Sequence, residues 1–290
     1  MKSLPLILAA GLLATASASA MHHTGGKKAE HGKMSAEQKQ AHHLEMLQET
    51  IKGSWRDPKN TVRDQYRRPY GTLGFFGVTP HSHVMEIWPG GGWYAEILVP
   101  YATHHGSYIG AVNNPNAFEK ESTKAFYLKQ NTALREKFAG NPEIYGKAKL
   151  QEFDPAAPVL GKPGSMDVVL TFRNVHNWRM SKQAEGMFKA FYAVLKKGGT
   201  QGVVEHRADK DVAEDDKSGY VSEAQVIALA KNAGFVLDGR SELNANALDT
   251  KDYPGGVWTL PPTLREGDKD RAKYLAIGES DRMTLRFKKP

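Results

Sequence analysis

The sequence contains no cysteine. No disulfide can form, so stability must come from a packed core, and no lipid can be attached through a cysteine near the N-terminus. Beyond the first twenty residues no segment is apolar enough to cross a membrane. No twin arginine precedes the N-terminal apolar run, and no internal repeat is visible. An excess of one charge is also slight: 39 Lys and Arg against 32 Asp and Glu leave a net charge of +7. The basic residues are spread along the chain, with only short clusters such as Lys196-Lys197 and Lys288-Lys289. That spacing describes solvated faces, not a stripe that follows a nucleic-acid backbone.

What the N-terminus does contain is the pattern of a secretory signal. Lys2 supplies the positive start, Leu4 to Leu13 the apolar run, and Ala18-Ser19-Ala20 a small-residue cleavage site before Met21. Residues 1–20 are therefore expected to be removed after Ala20, leaving a periplasmic or secreted protein. Residues 21–34, with His22, His23, Gly25, Gly26, Lys27, Lys28 and His31, are polar and glycine-rich and are expected to be a disordered leader. No fixed spacing or carboxylate completes a metal site from these histidines with His42 and His43, and no metal is assigned. The remaining roughly 270 residues suffice for one large α/β domain.

The chain is arranged around His83-Val84-Met85-Glu86-Ile87-Trp88-Pro89-Gly90-Gly91-Gly92-Trp93-Tyr94-Ala95. This reads as a buried strand, a glycine turn and the start of a helix. Such a turn aims backbone N–H groups at a ligand, with the helix N-terminus behind them. Glu86, just before the turn, can accept hydrogen bonds from a ligand's hydroxyls or ammonium but not from a phosphate. Gly90-x-Gly92-x-x-Ala95 also fits a relaxed dinucleotide fingerprint, which requires an acid about 20 residues on for the ribose; Asn113 stands there.

Further strands are expected at Ser107–Val112, Ala148–Phe153, Met166–Phe172, Thr200–Glu205, Phe235–Leu237 and Arg282–Phe287, the last an edge strand from its period-two alternation. Residues 116–138 read as helical, with Phe118, Phe126, Leu134 and Phe138 as core positions. In open α/β sheets, ligands bind beyond the carboxyl ends of the strands. Arg173-Asn174-Val175-His176-Asn177-Trp178 and Glu205-His206-Arg207 both lie there. His176 is the side chain of its loop that titrates near neutrality. Between the last two strands, residues 241–281 form an insertion long enough to expect a function; Trp258 and the prolines after it are expected to wall a substrate pocket.

The acid-glycine turn, Leu195-Lys196-Lys197-Gly198-Gly199 before a strand, and the order of elements from 83 to 290 resemble class I S-adenosylmethionine (SAM) methyltransferases. With Arg63-Asp64-x-Tyr66-Arg67, the Gly278-Glu279-Ser280-Asp281-Arg282 ending and the signal peptide, the chain resembles a bacterial group of exported methyltransferases. The resemblance implies a Rossmann-like sheet of seven strands with helices on both faces, residues 35–82 forming an N-terminal helical arm or lid, and residues 83–290 the methyltransferase-like domain. It implies SAM as cofactor, held by Glu86, Pro89, Gly90, Gly91, Gly92, Asn113 in the ribose-acid position, Phe153 and Asp154 at the adenine, and Asn174. Trp88 stands where the motif has its first glycine.

Two functions follow. In the first, a methyl group passes to a small or envelope-associated acceptor, with His176 or His206 as base, Glu205 orienting it, and Arg173 and Arg207 holding an anionic acceptor near Tyr70, Trp178 and Trp258. In the second, the pocket captures a nucleoside-like small molecule without turnover. Trp88 and Asn113 favour the second reading; Glu86, the glycines and the polar crevice favour the first.

Overall fold

The computed structural model describes residues 34–290. The signal segment and all of the leader except Met34 lie outside the described residues. Residues 36–290 form one compact unit.

Its strands are β1 (His83–Ile87), β2 (Ser107–Asn113), β3 (Lys149–Phe153), β4 (Met166–Phe172), β5 (Leu195–Ala208), β6 (Val221–Ser222), β7 (Val236–Ser241) and β8 (Arg282–Lys288). The sheet runs β3-β2-β1-β4-β5-β8-β7, with the two-residue β6 pairing only the end of β5. Strands β1 to β5 are parallel, and β8 is antiparallel to both neighbours. The strand order reverses between β1 and β4, and that is where an open α/β sheet opens a crevice for a ligand.

The period of two along β1 sorts its side chains into two apolar layers. Met85 and Ile87 face a core with Trp178, Phe188, Phe191 and Met283, while Val84 faces one with Leu98, Tyr108, Leu170 and Leu73. β4 is apolar on both faces because helices cover both, as parallel strands require. The helix Ala184–Val194 covers the first face, and the helices Ala36–Ile51 and Ala95–Ala102 the second. The helix Glu223–Asn232 begins with a complete capping box, Ser222 with Gln225, which satisfies two otherwise orphaned N–H groups.

The arm is stitched to the sheet domain by side-chain hydrogen bonds. Trp55 Nε1 donates to Glu96 O (2.8 Å), Trp93 Nε1 to Asn60 O (2.9 Å) and Arg63 Nε to Glu279 Oε1 (2.6 Å). Gly278 has φ +84°, and a Cβ there would lie 2.6 Å from the Tyr66 ring; only glycine lets the segment before β8 approach the arm so closely.

Two expectations are corrected. β8 is interior and β7 is the edge strand. The alternation in β8 does not mark an exposed face, because the polar residues of its first half are buried with partners: Thr284 accepts from Asn244 Nδ2 (2.9 Å), and Arg282 pairs with Glu279. Phe126 is 54% exposed and Phe118 half-buried. Both sit on the side of the helix Glu121–Ala139 and its approach that borders a cavity, not the core.

Candidate functional site

The glycine turn takes up left-handed backbone at Trp88 (φ +50°), Gly90 (φ +59°) and Gly92 (φ +80°). At Trp88 this is a conformation a bulky side chain rarely adopts. A Cβ at Gly90 or Gly91 would meet nothing within 4 Å, whereas at Gly92 it would press on Leu134 at 3.0 Å. The first two glycines therefore face open space, and the third lets the turn pack on the helix Glu121–Ala139.

Two cavities open on this turn. The first, about 420 Å³, lies past the end of β2 and is lined by Trp88, Val112, Asn113, Tyr127, Asn131 and Asn174, among others. Its polar groups are amides and hydroxyls with no charged side chain in the lining, a surface suited to a neutral aromatic and hydroxylated ligand. Asn113 is buried, its backbone carbonyl accepts from Asn131 Nδ2 (2.9 Å), and its own Oδ1 has no partner. A buried acceptor without a donor costs free energy unless a ligand supplies one.

The second cavity, about 290 Å³, is walled by Arg63, Arg67, Arg173, Glu86, Trp93, Tyr94, Pro89 and the turn at Gly90 and Gly91. It shares Trp88, Gly90 and Asn174 with the first. Arg67 is held over the Trp93 ring at 4.6 Å. Glu279, buried behind the wall, pairs with Arg63, Arg67 and Arg282. Burial would push its carboxyl up, but the charges of Arg282, Arg67 and Arg63 outweigh it and hold the pKa at about 2. Glu86 behaves in the opposite way. Burial raises its pKa to about 7, against the pull of the Tyr108 hydroxyl, which donates to Oε2 (2.7 Å), and of Arg173 and Arg67.

The third cluster is His176, Glu205 and His206. Glu205 is fully buried and caps the helix Val175–Met180, accepting from Val175 N (2.6 Å) and His176 N (3.4 Å) on Oε2. Its Oε1 accepts from His206 N (2.8 Å) and lies 2.9 Å from His176 Nδ1. Facing a carboxylate, Nδ1 carries the proton, which leaves Nε2 as the basic atom. His206 Nδ1 meets Ser280 Oγ at 2.5 Å. Burial, then His176, Arg282, Arg173 and Arg67, push the His206 pKa well below its ordinary value. Ligating atoms of the three residues lie within 4.8 Å of one another. A cation there would have to compete with the N–H donors that fill Glu205 and sit among those arginines, so the cluster is better suited to handling a proton.

The residues singled out in the sequence are therefore divided. Glu86, Pro89, Gly90, Gly91, Asn113, Asn174 and Arg173 border the cavities. Asn174 also ties the ends of β1 and β4 together, donating to Ile87 O (3.0 Å) and Thr171 Oγ1 (3.1 Å). His176, Glu205 and His206 come together but line neither cavity; Asn177, next along the helix, lines the first. Five expectations are corrected. Phe153 packs in the core, and Asp154 accepts from Ala156 N (2.8 Å) in its own turn, so Pro155 borders the cavity instead. Trp178 is fully buried in the core. Arg207 is taken up by Asp281, Glu242 and Glu223 and has no free face for an anion. Trp258 packs edge-on to the His176 ring, with Arg265 over it at 4.7 Å, and borders neither cavity. Tyr70 is 43% exposed, lies beside Tyr101 and borders neither cavity. Tyr127, Gln130 and Asn131 were missed because the helix that carries them was read for its apolar stripe. Its polar positions facing the end of β2 were the available signal.

No protein-family model and no curated protein sequence matches the chain. Solved structures do. A SAM-dependent methyltransferase from Aquifex aeolicus superposes with a TM-score of 0.52 at 12% identity, over 85% of this chain and 98% of that one. The [4+2]-cyclase SpnF superposes with a TM-score of 0.52 at 13% identity, over 87% of this chain and 95% of that one. At these identities the likeness is one of fold, and a fold can carry more than one chemistry. The chain has the Rossmann-like fold of the class I SAM-dependent methyltransferases.

Proposed function

We propose that the protein is a SAM-dependent methyltransferase that acts on a small-molecule acceptor after export to the periplasm. The observation that carries this reading is the pair of cavities that meet at the glycine turn, one neutral and rich in amides and rings, the other charged. The residues present fit the cofactor. Asn113 Oδ1 is a buried acceptor awaiting a donor such as a ribose hydroxyl, Gly90 and Gly91 leave the turn open to close approach, and Trp88, Phe118 and Tyr127 offer rings to a purine. Trp88 departs from the family's glycine and borders both cavities.

Bound SAM would supply an electrophilic methyl group. The chain's own residues would hold donor and acceptor aligned, which is the main demand of an in-line displacement. The turn and Asn174 fix the floor of the groove, while Arg63 and Arg67 bring the arm over the charged cavity. His176, held by Glu205, lines neither cavity, so no proton transfer from the acceptor is assigned to it. A non-catalytic binding module on the same groove is the second reading, favoured by Trp88.

Calorimetry of the mature protein with SAM and S-adenosylhomocysteine tests the cofactor. Micromolar binding is expected; no heat at millimolar ligand would sink the reading. Export is tested separately by mass spectrometry of the protein recovered from the cell envelope. The expected N-terminus is Met21, and a retained signal segment would remove the periplasmic assignment.

A further inference from the structure

Histidines from three segments gather at the amino ends of β1 and β2, the end of the sheet opposite the crevice. His42 and His43 come from the helix Ala36–Ile51, His81 from the turn that enters β1, and His104 and His105 from the turn that enters β2. The ring centroids of His43 and His81 lie 5.4 Å apart, those of His81 and His105 4.6 Å, and those of His104 and His105 6.1 Å. Backbone contacts fix the scaffold beneath. His105 N and Gly106 N donate to Pro80 O (2.9 and 3.1 Å), and the Tyr101 hydroxyl donates to His43 O (2.8 Å). A Cβ at Gly106 would lie 2.2 Å from Ser82 O, so only glycine allows the approach that sets His105 beside His81. Among the described residues no hydrogen bond or ion pair takes up the ring nitrogens of His43, His81, His104 or His105. Burial, then His81, His42 and Lys39, lower the His43 pKa, so at neutral pH its ring has a lone pair to give. Lys39 and Glu45, the charged side chains that face the group from the same helix, are exposed, and solvent screens them. A metal 2.0–2.1 Å from one nitrogen of each of two imidazoles holds their ring centroids about 4.5–5.2 Å apart, from right-angled to tetrahedral geometry. The separations on both sides of His81 are close to that size. His81 and His105 are stacked, so binding requires these exposed rings to rotate about their side-chain bonds until their nitrogens converge.

We propose that His43, His81 and His105 form a binding site for a divalent transition metal such as zinc, with His42 and His104 at its rim. A set of imidazoles without carboxylates favours such ions over magnesium and calcium, which take oxygen ligands. The site is independent of the methyltransferase reading, because it lies at the other end of β1 from the glycine turn. Bound metal clamps the first helix of the arm, through His43, to the turns that enter β1 and β2. A ligand that binds only the folded state adds to its stability, so the clamp has a readout apart from any activity.

The test is calorimetry with Zn2+, together with thermal melts, on the untagged mature protein after treatment with a chelator. Wild type is compared with His43→Gln, His81→Gln and His105→Gln, and with a leader variant in which His22, His23 and His31 are all changed to Gln. Wild type should bind zinc with micromolar affinity and melt several degrees higher in a large excess of it. Mg2+ should produce neither effect. Each cluster variant should bind zinc more weakly by roughly tenfold or more, since losing a ligand costs at least as much as losing a ligand's supporting partner. Each should also lose the rise in melting temperature. His81 and His105 are exposed, so their variants should melt as wild type does without metal, which keeps the test valid if His43→Gln folds poorly. The leader variant should behave as wild type. Wild type that takes up no zinc at millimolar concentration overturns the site. Zinc binding that survives unchanged in His81→Gln and His105→Gln also overturns it, and its loss in the leader variant would then assign the metal to the leader.

Discussion

Glu279→Gln is expected to lower the stability of the protein by about 3–5 kcal/mol at pH 7, the range found when one partner of a buried ion network is removed. Glu279 is 2% exposed and is the shared counter-ion of Arg63, Arg67 and Arg282. Without its charge three guanidinium groups are left mutually repelling in a low-dielectric site, and the link between the arm and β8 is weakened. The pH dependence identifies the cause. The carboxyl pKa is about 2 in the fold, below its ordinary 4.5. A depressed acid contributes stability that is complete above the unfolded value and disappears as pH falls through the folded one. A shift of that size corresponds to about 3 kcal/mol. Urea unfolding of wild type and Glu279→Gln should therefore show a wide gap at pH 6 that narrows steadily from pH 5 to pH 2. A gap that does not change over this range would mean that shape, not charge, is what Glu279 contributes.

Glu86→Gln should behave in the reverse sense. Burial raises the Glu86 pKa from 4.5 to about 7, so the folded state holds a proton that the unfolded chain releases. A raised acid favours the fold below the unfolded pKa, and that contribution is lost as pH rises through the folded one. Wild type should therefore lose about 3 kcal/mol between pH 4.5 and pH 7 relative to Glu86→Gln. The variant, which keeps an oxygen for the Tyr108 hydroxyl, should match wild type near pH 4.5 and be the more stable protein at pH 8. Thermal melts of both proteins between pH 4.5 and pH 8 measure this. Parallel profiles would show that Glu86 is ionised in the fold throughout, held by Arg173 and Arg67 more strongly than burial opposes. Both carboxylates feel Arg67, so the pair of experiments reports how one arginine cluster acts on two acids.

Much of the architecture was legible in the sequence because it is specified locally. The apolar runs of β1 and β4 and the glycine turn after Glu86 each carry their instruction within a few residues. The order of these elements was enough to anticipate the parallel sheet and its crevice. What the sequence by itself did not determine was which polar side chains were already engaged. Arg173 and Arg207 both follow a strand that ends at the crevice and look equivalent in one dimension. In the fold, Arg207 forms ion pairs with Asp281, Glu242 and Glu223, while among the described residues Arg173 forms none. Trp178 was drawn to the site by its place in the loop after β4 and Trp258 by the length of its insertion, but packing placed one in the core and the other edge-on to His176. The interior position of β8 depended on Glu279 and Asn244, residues of the insertion that satisfy its buried Arg282 and Thr284. Local propensity and period determine the elements, because they depend on neighbouring residues. Charge balance and burial are sums over groups far apart in the chain, and only the tertiary structure brings those groups within reach of one another.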